Sequence, residues 1–277
     1  MITKLIEEFV VHLRAQRYSE KSIKTYRSHL CYFLNLFYEY EPENLTSKQL
    51  EDFIIWLIEK KKIGESYQKA IIGVITKFYK ELLQKDIDLK HLYPQKKEIK
   101  LPNFLMREEV KKLLEVTENL KHRTILTTIY SCGLHLREVL NVRLTDIKIK
   151  EKIILIKEIR YKKERTITLS DKLLNLLKEY KIIYRPAIYL FEGQNGEKYS
   201  ERSVQQIFQN SLEKTGITSI ATVCTLRHSY AIHLLENGID IKTIQELLGH
   251  RNITTTKIYL QIMDTFKEKV RSPLDLL

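Results

Sequence analysis

Apolar residues recur at helical spacing through the first ninety positions. Ile2, Leu5, Ile6, Phe9, Val10 and Leu13 form one stripe, and Ile23, Tyr26, Leu30, Phe33, Leu34 and Phe37 a second, so each segment predicts a one-sided helix. A third helix is expected behind Thr46, which with Gln49 makes a capping-box pattern, and it carries Leu50, Phe53, Ile54, Leu57 and Ile58. Gly64 is expected to mark its end. The fourth stripe is Tyr67, Ala70, Ile71, Val74, Ile75, Phe78, Tyr79 and Leu82. Four such helices predict a compact bundle. Its outer faces hold Lys21, Lys24, Arg27, Lys69, Lys77 and Lys80, which either touch phosphates or form a plain solvated face.

The segment YPQKKEIKLP (93–102) combines prolines with lysines between two periodic regions and reads as an interdomain linker. The expected division is therefore a helical unit at 1–92, a linker at 93–102 and a second unit at 103–277. Helices are predicted near 107–118 and 122–131, with a turn at Cys132 and Gly133 and another short helix to about Asn141. The period then changes. IILIKEI (153–159) and RTITL (165–169) are β-branched runs joined by RYKKE (160–164), the pattern of a hairpin. Further helices are expected at about 171–184, 201–214, 225–236 and 241–248, with Gly216, Gly238 and Gly249 just past three of them. The fold class is thus mainly α with a small antiparallel β hairpin.

Charge adds a partner class. Lys and Arg number 47 against 35 Asp and Glu, a formal charge of +12 spread over both units, which favours a polyanion such as nucleic acid. Cys31, Cys132 and Cys224 have no paired spacing, and the chain opens on an amphipathic segment rather than a signal peptide, so a reduced, cytoplasmic setting is expected. Charged residues interrupt every apolar run, which argues against a membrane span. No CxxC accompanies His228 and His233, and no phosphate-binding glycine loop is present, so neither a metal nor a nucleotide cofactor is expected.

Several phrases then become specific: YSEKSIKTYRSHL (18–30), LPNFLMREEV (101–110), YSCGLHLREVLNVRL (130–144), LFEGQNGEKYSERSVQQIF (190–208), CTLRHSYAIHLL (224–235), LLGHRNITTTKIYLQI (247–262) and RSPLD (271–275). In this order they resemble the Xer-like tyrosine site-specific recombinases of the phage integrase family, over the whole chain. The resemblance implies a SAM-like core-binding domain and a catalytic domain that form a C-shaped clamp on duplex DNA. It also implies strand exchange through a 3′-phosphotyrosyl intermediate, without metal or ATP, by a protein that is monomeric when free and homotetrameric on paired sites. By the same resemblance Tyr259 is the nucleophile, Arg227 the second arginine, His250 the late His/Trp position and Glu138 the acidic residue that buttresses the first arginine. The exchange tail is 263–277, docking on a neighbour or folding back on its own domain.

Such chemistry needs these residue types. A phenol with a pKa near 10 needs a base, and a pentacoordinate phosphorane needs guanidinium forks on its non-bridging oxygens. Three positions depart from the family pattern. His135 falls on the first arginine, Arg160 on the hairpin lysine, and Cys224 on the first histidine of the HxxR phrase. Imidazole lacks a permanent five-donor cation, arginine holds its proton too tightly to act as an acid, and a thiol is a poor donor to phosphate. Arg137 is expected to point away from the site, while Lys157, Lys162 or Lys163 can replace the hairpin lysine only if the turn rearranges. Cleavage is therefore expected to be impaired. The rival reading is a DNA-binding or architectural relative acting at recombination sites.

Overall fold

The computed structural model describes residues 2–95, 101–158 and 163–266. The chain divides into two compact units, Met1–Glu98 and Ile99–Leu277.

The first unit is built from α1 (Ile2–Ala15), α2 (Glu20–Leu36), α3 (Ser47–Glu59) and α4 (Glu65–Leu82). Side chains cap two of the helix starts. Ser19 Oγ accepts from the Ser22 amide at α2, and Thr46 and Gln49 exchange side-chain and backbone bonds at α3, each satisfying amides that have no partner inside the helix. Phe9, Leu13, Leu30, Phe33, Ile54, Ile71, Ile75 and Phe78 are fully sequestered where the four stripes meet. The expectation for Gly64 needs correction. It is the residue before α4, with φ −76° and ψ 158°, and the chain instead leaves α3 through Lys62, whose φ is +50°. A loop of this length places the left-handed residue two positions earlier than the glycine.

Lys21, Lys24 and Lys69 lie exposed, and Arg27 is exposed and paired with Glu7 at 3.1 Å. Lys77 departs from the solvated-face expectation. Its side chain is 18% exposed, bonded to Glu81 and set 5.1 Å over the Tyr18 ring, so its charge is already compensated.

The second unit contains α5 (Arg107–Glu115), α6 (Leu120–Cys132), α7 (Leu136–Asn141), β1 (Ile147–Lys148), β2 (Ile153–Glu158), β3 (Lys163–Thr168), α8 (Asp171–Tyr184), α9 (Glu201–Thr215), α10 (Val223–Glu236), α11 (Ile241–Leu248) and α12 (Ile253–Phe266). The three strands pair antiparallel in the order β1-β2-β3. Pairing of Glu158 with Lys163 carries β3 further toward the turn than the β-branched run suggested. Helix α10 is buried on nearly every side and packs against α5, α6, α9, α11 and α12. Its weak amphipathicity follows from that position, since a helix surrounded by neighbours needs no polar face.

Candidate active site

The site forms where three helix ends meet the inner face of the hairpin. Helix α6 ends at Gly133 with φ +58°, and α11 ends at Gly249 with φ +71°, so both finish in left-handed caps that leave carbonyls turned toward the same space. Arg227 of α10, 1% exposed, fills it. Its Nη1 donates to Gly133 O at 2.7 Å and its Nη2 to Leu248 O at 2.6 Å, so a fixed cation meets the negative ends of two helices.

Glu138 completes this cluster from the first turn of α7. It accepts from the His135 amide at 2.8 Å, from both terminal nitrogens of Arg165 at 2.7 and 2.8 Å, and from Arg227 Nη1 at 3.5 Å. Burial alone would raise its pKa, but the Arg165 bonds and charge, with further help from the His135 amide and Arg227, hold it below the ordinary carboxylate value. Arg165 also donates from Nε to Leu247 O at 2.9 Å, so β3 and the end of α11 are tied to the same carboxylate.

Tyr259 lies on α12, 2% exposed, packed with Ala231, Ile232, Ile244, Leu248 and Ile262. Burial pushes its phenol up to about 12, against a smaller lowering by Arg227. Its hydroxyl is 2.9 Å from Nδ1 of His228, and His228 Nε2 is 3.5 Å from Cys224 Sγ one helical turn back. His250 follows α11 and bonds through Nδ1 to Thr256 Oγ1 at 2.9 Å. Burial, and then the Arg227 cation, push His228 and His250 down to about 4, so both rings are neutral near pH 7. His135 is shifted the same way by partial desolvation and by Arg227, but much of it is open to solvent, which screens the effect. His135 and Cys224 line one cleft of about 540 Å³, shared with Arg137, Glu201, Gln205 and Gln209.

Tyr259, Arg227, His250, Glu138, His135 and Cys224 thus converge from separate stretches of chain. Arg137 lines the same cleft and pairs there with Glu201 at 2.8 Å, while Lys157 is committed to Asp146. Arg160 and Lys162 lie outside the described residues, as does the side chain of Lys163, and so does the tail beyond 266. Two members of the cluster escaped sequence reasoning. Arg165 was legible in strand alternation, because it shares a face with the buried Ile167 and pairs with the buried Ile156. His228 was legible only as the neighbour of Arg227. Among the described residues no group of metal-ligating side chains occurs, and no helix is long and apolar enough to cross a membrane.

The Phage integrase family model matches residues 103–265, and the model for the Phage integrase N-terminal SAM-like domain matches 5–89. The chain belongs to the phage integrase family of tyrosine recombinases. It is 30% identical over 278 residues to the Tyrosine recombinase of Thermosipho africanus, covering 96% of each chain. Its fold is similar to that of XerH site-specific recombinase bound to palindromic difH substrate, with TM-score 0.76, 22% identity and coverage of 96% of this chain and 82% of that one. It is also similar to a lambda integrase tetramer bound to a Holliday junction, with TM-score 0.76, 18% identity and coverage of 93% and 76%. By family this recombinase is an enzyme of site-specific DNA recombination.

Proposed function

We propose that this recombinase breaks and rejoins duplex DNA through a 3′-phosphotyrosyl link at Tyr259, and that it does so slowly. Supporting the assignment is the convergence of Tyr259, Arg227, His228 and His250 at one buried cluster. In this reading Arg227 meets the non-bridging oxygens. Gly133 O, Leu248 O and Glu138 engage its terminal nitrogens, holding the fork while it retains N–H capacity for a phosphate. His250 addresses phosphate through Nε2, its Nδ1 being bonded to Thr256.

Slowness follows from what stands beside Arg227. At His135 a neutral ring replaces a second guanidinium, and at Cys224 a thiol on the cleft wall, its pKa raised by partial desolvation, replaces an imidazole. Losing one transition-state donor costs about 10²–10³ in rate, and losses within one cooperative site do not add simply. The Tyr259 phenol is also buried in the apolar cluster, which pushes its pKa up to about 12 and makes the nucleophile harder to deprotonate. These same features support a second reading, a DNA-binding relative at recombination sites in which cleavage is vestigial. Under either reading the chain acts in the cytoplasm, monomeric when free. It assembles as a tetramer on paired sites, a reading supported by the similar lambda integrase, which is a tetramer bound to a Holliday junction.

The deciding experiment selects a binding site from genomic DNA and offers it as a nicked suicide substrate. We expect a weak covalent adduct that is absent in Tyr259→Phe and rises at least about 10²-fold in the triple variant His135→Arg, Arg160→Lys, Cys224→His. Efficient trapping by the native sequence refutes impairment. No adduct in either protein refutes the nucleophile assignment and leaves the binding-only reading.

A further inference from the structure

We propose that His228 takes the Tyr259 proton in this chain, and that Cys224 holds the His228 ring in the tautomer able to do so. The inference rests on Tyr259 being the nucleophile and assigns its base.

The geometry carries it. Among the described residues, the side chain that meets the Tyr259 hydroxyl is His228, through Nδ1 at 2.9 Å, with ring centroids 5.8 Å apart. A neutral imidazole has one donor and one acceptor nitrogen. When the phenol donates to Nδ1, the ring hydrogen must sit on Nε2, and Nε2 is 3.5 Å from Cys224 Sγ, within reach of a sulfur acceptor. Cys224 and His228 are four apart on α10, so successive turns place sulfur beside imidazole, and the Tyr259 phenol of α12 meets the far nitrogen of that ring. His250 is differently placed, its Nδ1 being occupied by Thr256. The imidazole missing at position 224 is in this way replaced by one a single helical turn further along.

The groups that bear on His228 are Cys224 and Arg227 on α10, His135 at the start of α7, His250 after α11, and Tyr259 on α12. Arg227 and burial keep the ring neutral in the free chain, which is the state a base requires. A phosphodiester docking on Arg227 brings a negative charge that offsets the cation and favours imidazolium. As the phenol O–H bond breaks, its proton passes to Nδ1 and the oxygen bonds to phosphorus. The P–O5′ bond breaks with its electron pair on O5′, which is protonated from solvent water. In rejoining, the 5′-hydroxyl gives up its proton to solvent water as its oxygen bonds to phosphorus and displaces Tyr259, and the phenolate recovers its proton from His228.

The test uses the full chain and the suicide substrate, in the His135→Arg, Arg160→Lys background if the native rate is too slow to time. His228→Asn keeps an acceptor near Nδ1 but has no basicity. We expect adduct formation to fall about 10²-fold or more with DNA affinity unchanged, and the acid limb of the pH–rate profile to vanish. Added imidazole should restore part of the rate to His228→Ala. Nitrogen-15 spectra of histidine-labelled free protein should show Nδ1 of His228 unprotonated. An unchanged rate and acid limb in His228→Asn overturn the proposal, as does a faster rate, which would make His228 a latch. A proton on Nδ1 overturns it whatever the adduct assay gives. Complete absence of a Tyr259-dependent adduct in both backgrounds instead refutes the nucleophile reading on which it rests.

Discussion

Glu138 is one carboxylate between two guanidiniums in a water-poor space, and its removal strands both cations. Breaking a buried pair on one side costs about 3–5 kcal/mol, so Glu138→Gln should lower the urea midpoint strongly with little change in slope. A second consequence concerns acid. His228 and His250 have folded pKa values of about 4 against about 6.5 in the unfolded chain, so the unfolded state binds protons first. Stability is therefore full above about pH 6.5 and is lost progressively toward about pH 4, by at most about 3 kcal/mol per ring. Unfolding measured from about pH 7 to 4.5 should show this slope, and a His228→Asn, His250→Gln double variant should flatten it. Of these residues, Glu138 and His250 were legible from motif spacing. The base at His228 was not, because only the packing of α10 against α12 reveals which ring faces the phenol.

Helix ends build the pocket that holds Arg227. Carbonyls at the ends of α6 and α11 hold Arg227, and the first turn of α7 presents Glu138. The left-handed caps that expose those carbonyls tolerate little change. A Cβ on Gly133 would sit 2.3 Å from the Tyr230 ring at φ +58°. Gly133→Ala should therefore cost about 1–3 kcal/mol from backbone strain and overpacking, read as a lower melting temperature. Composition marked both glycines as helix stops, and β-branching marked the hairpin. Strand alternation puts Arg165 on the inward face beside Ile167, but why a charge stands on that buried face is intelligible only once Glu138 lies opposite it.

For the chain as a whole, +12 predicts binding governed by phosphate contacts. Affinity for the selected site should drop about 10³-fold or more between about 50 and 200 mM salt. Replacing exposed Lys21, Lys24 or Lys69 by Ala should reduce the salt slope by about 1 for each phosphate left without its lysine. Lys77→Ala should leave the slope unchanged, because Glu81 already neutralises that charge. Fluorescence anisotropy across a salt series checks both.

Periodicity and motif order alone determined the helical bundle, the hairpin, the family and the positions of Tyr259, Arg227, His250 and Glu138 along the chain, because amphipathic stripes and active-site phrases are written locally. Tertiary structure decided the rest. Which imidazole meets Tyr259, which arginines Glu138 binds and which lysine is already compensated all depend on segments distant in sequence arriving at one point. Their protonation is likewise set by burial and neighbouring charge, and neither quantity exists until the chain has folded.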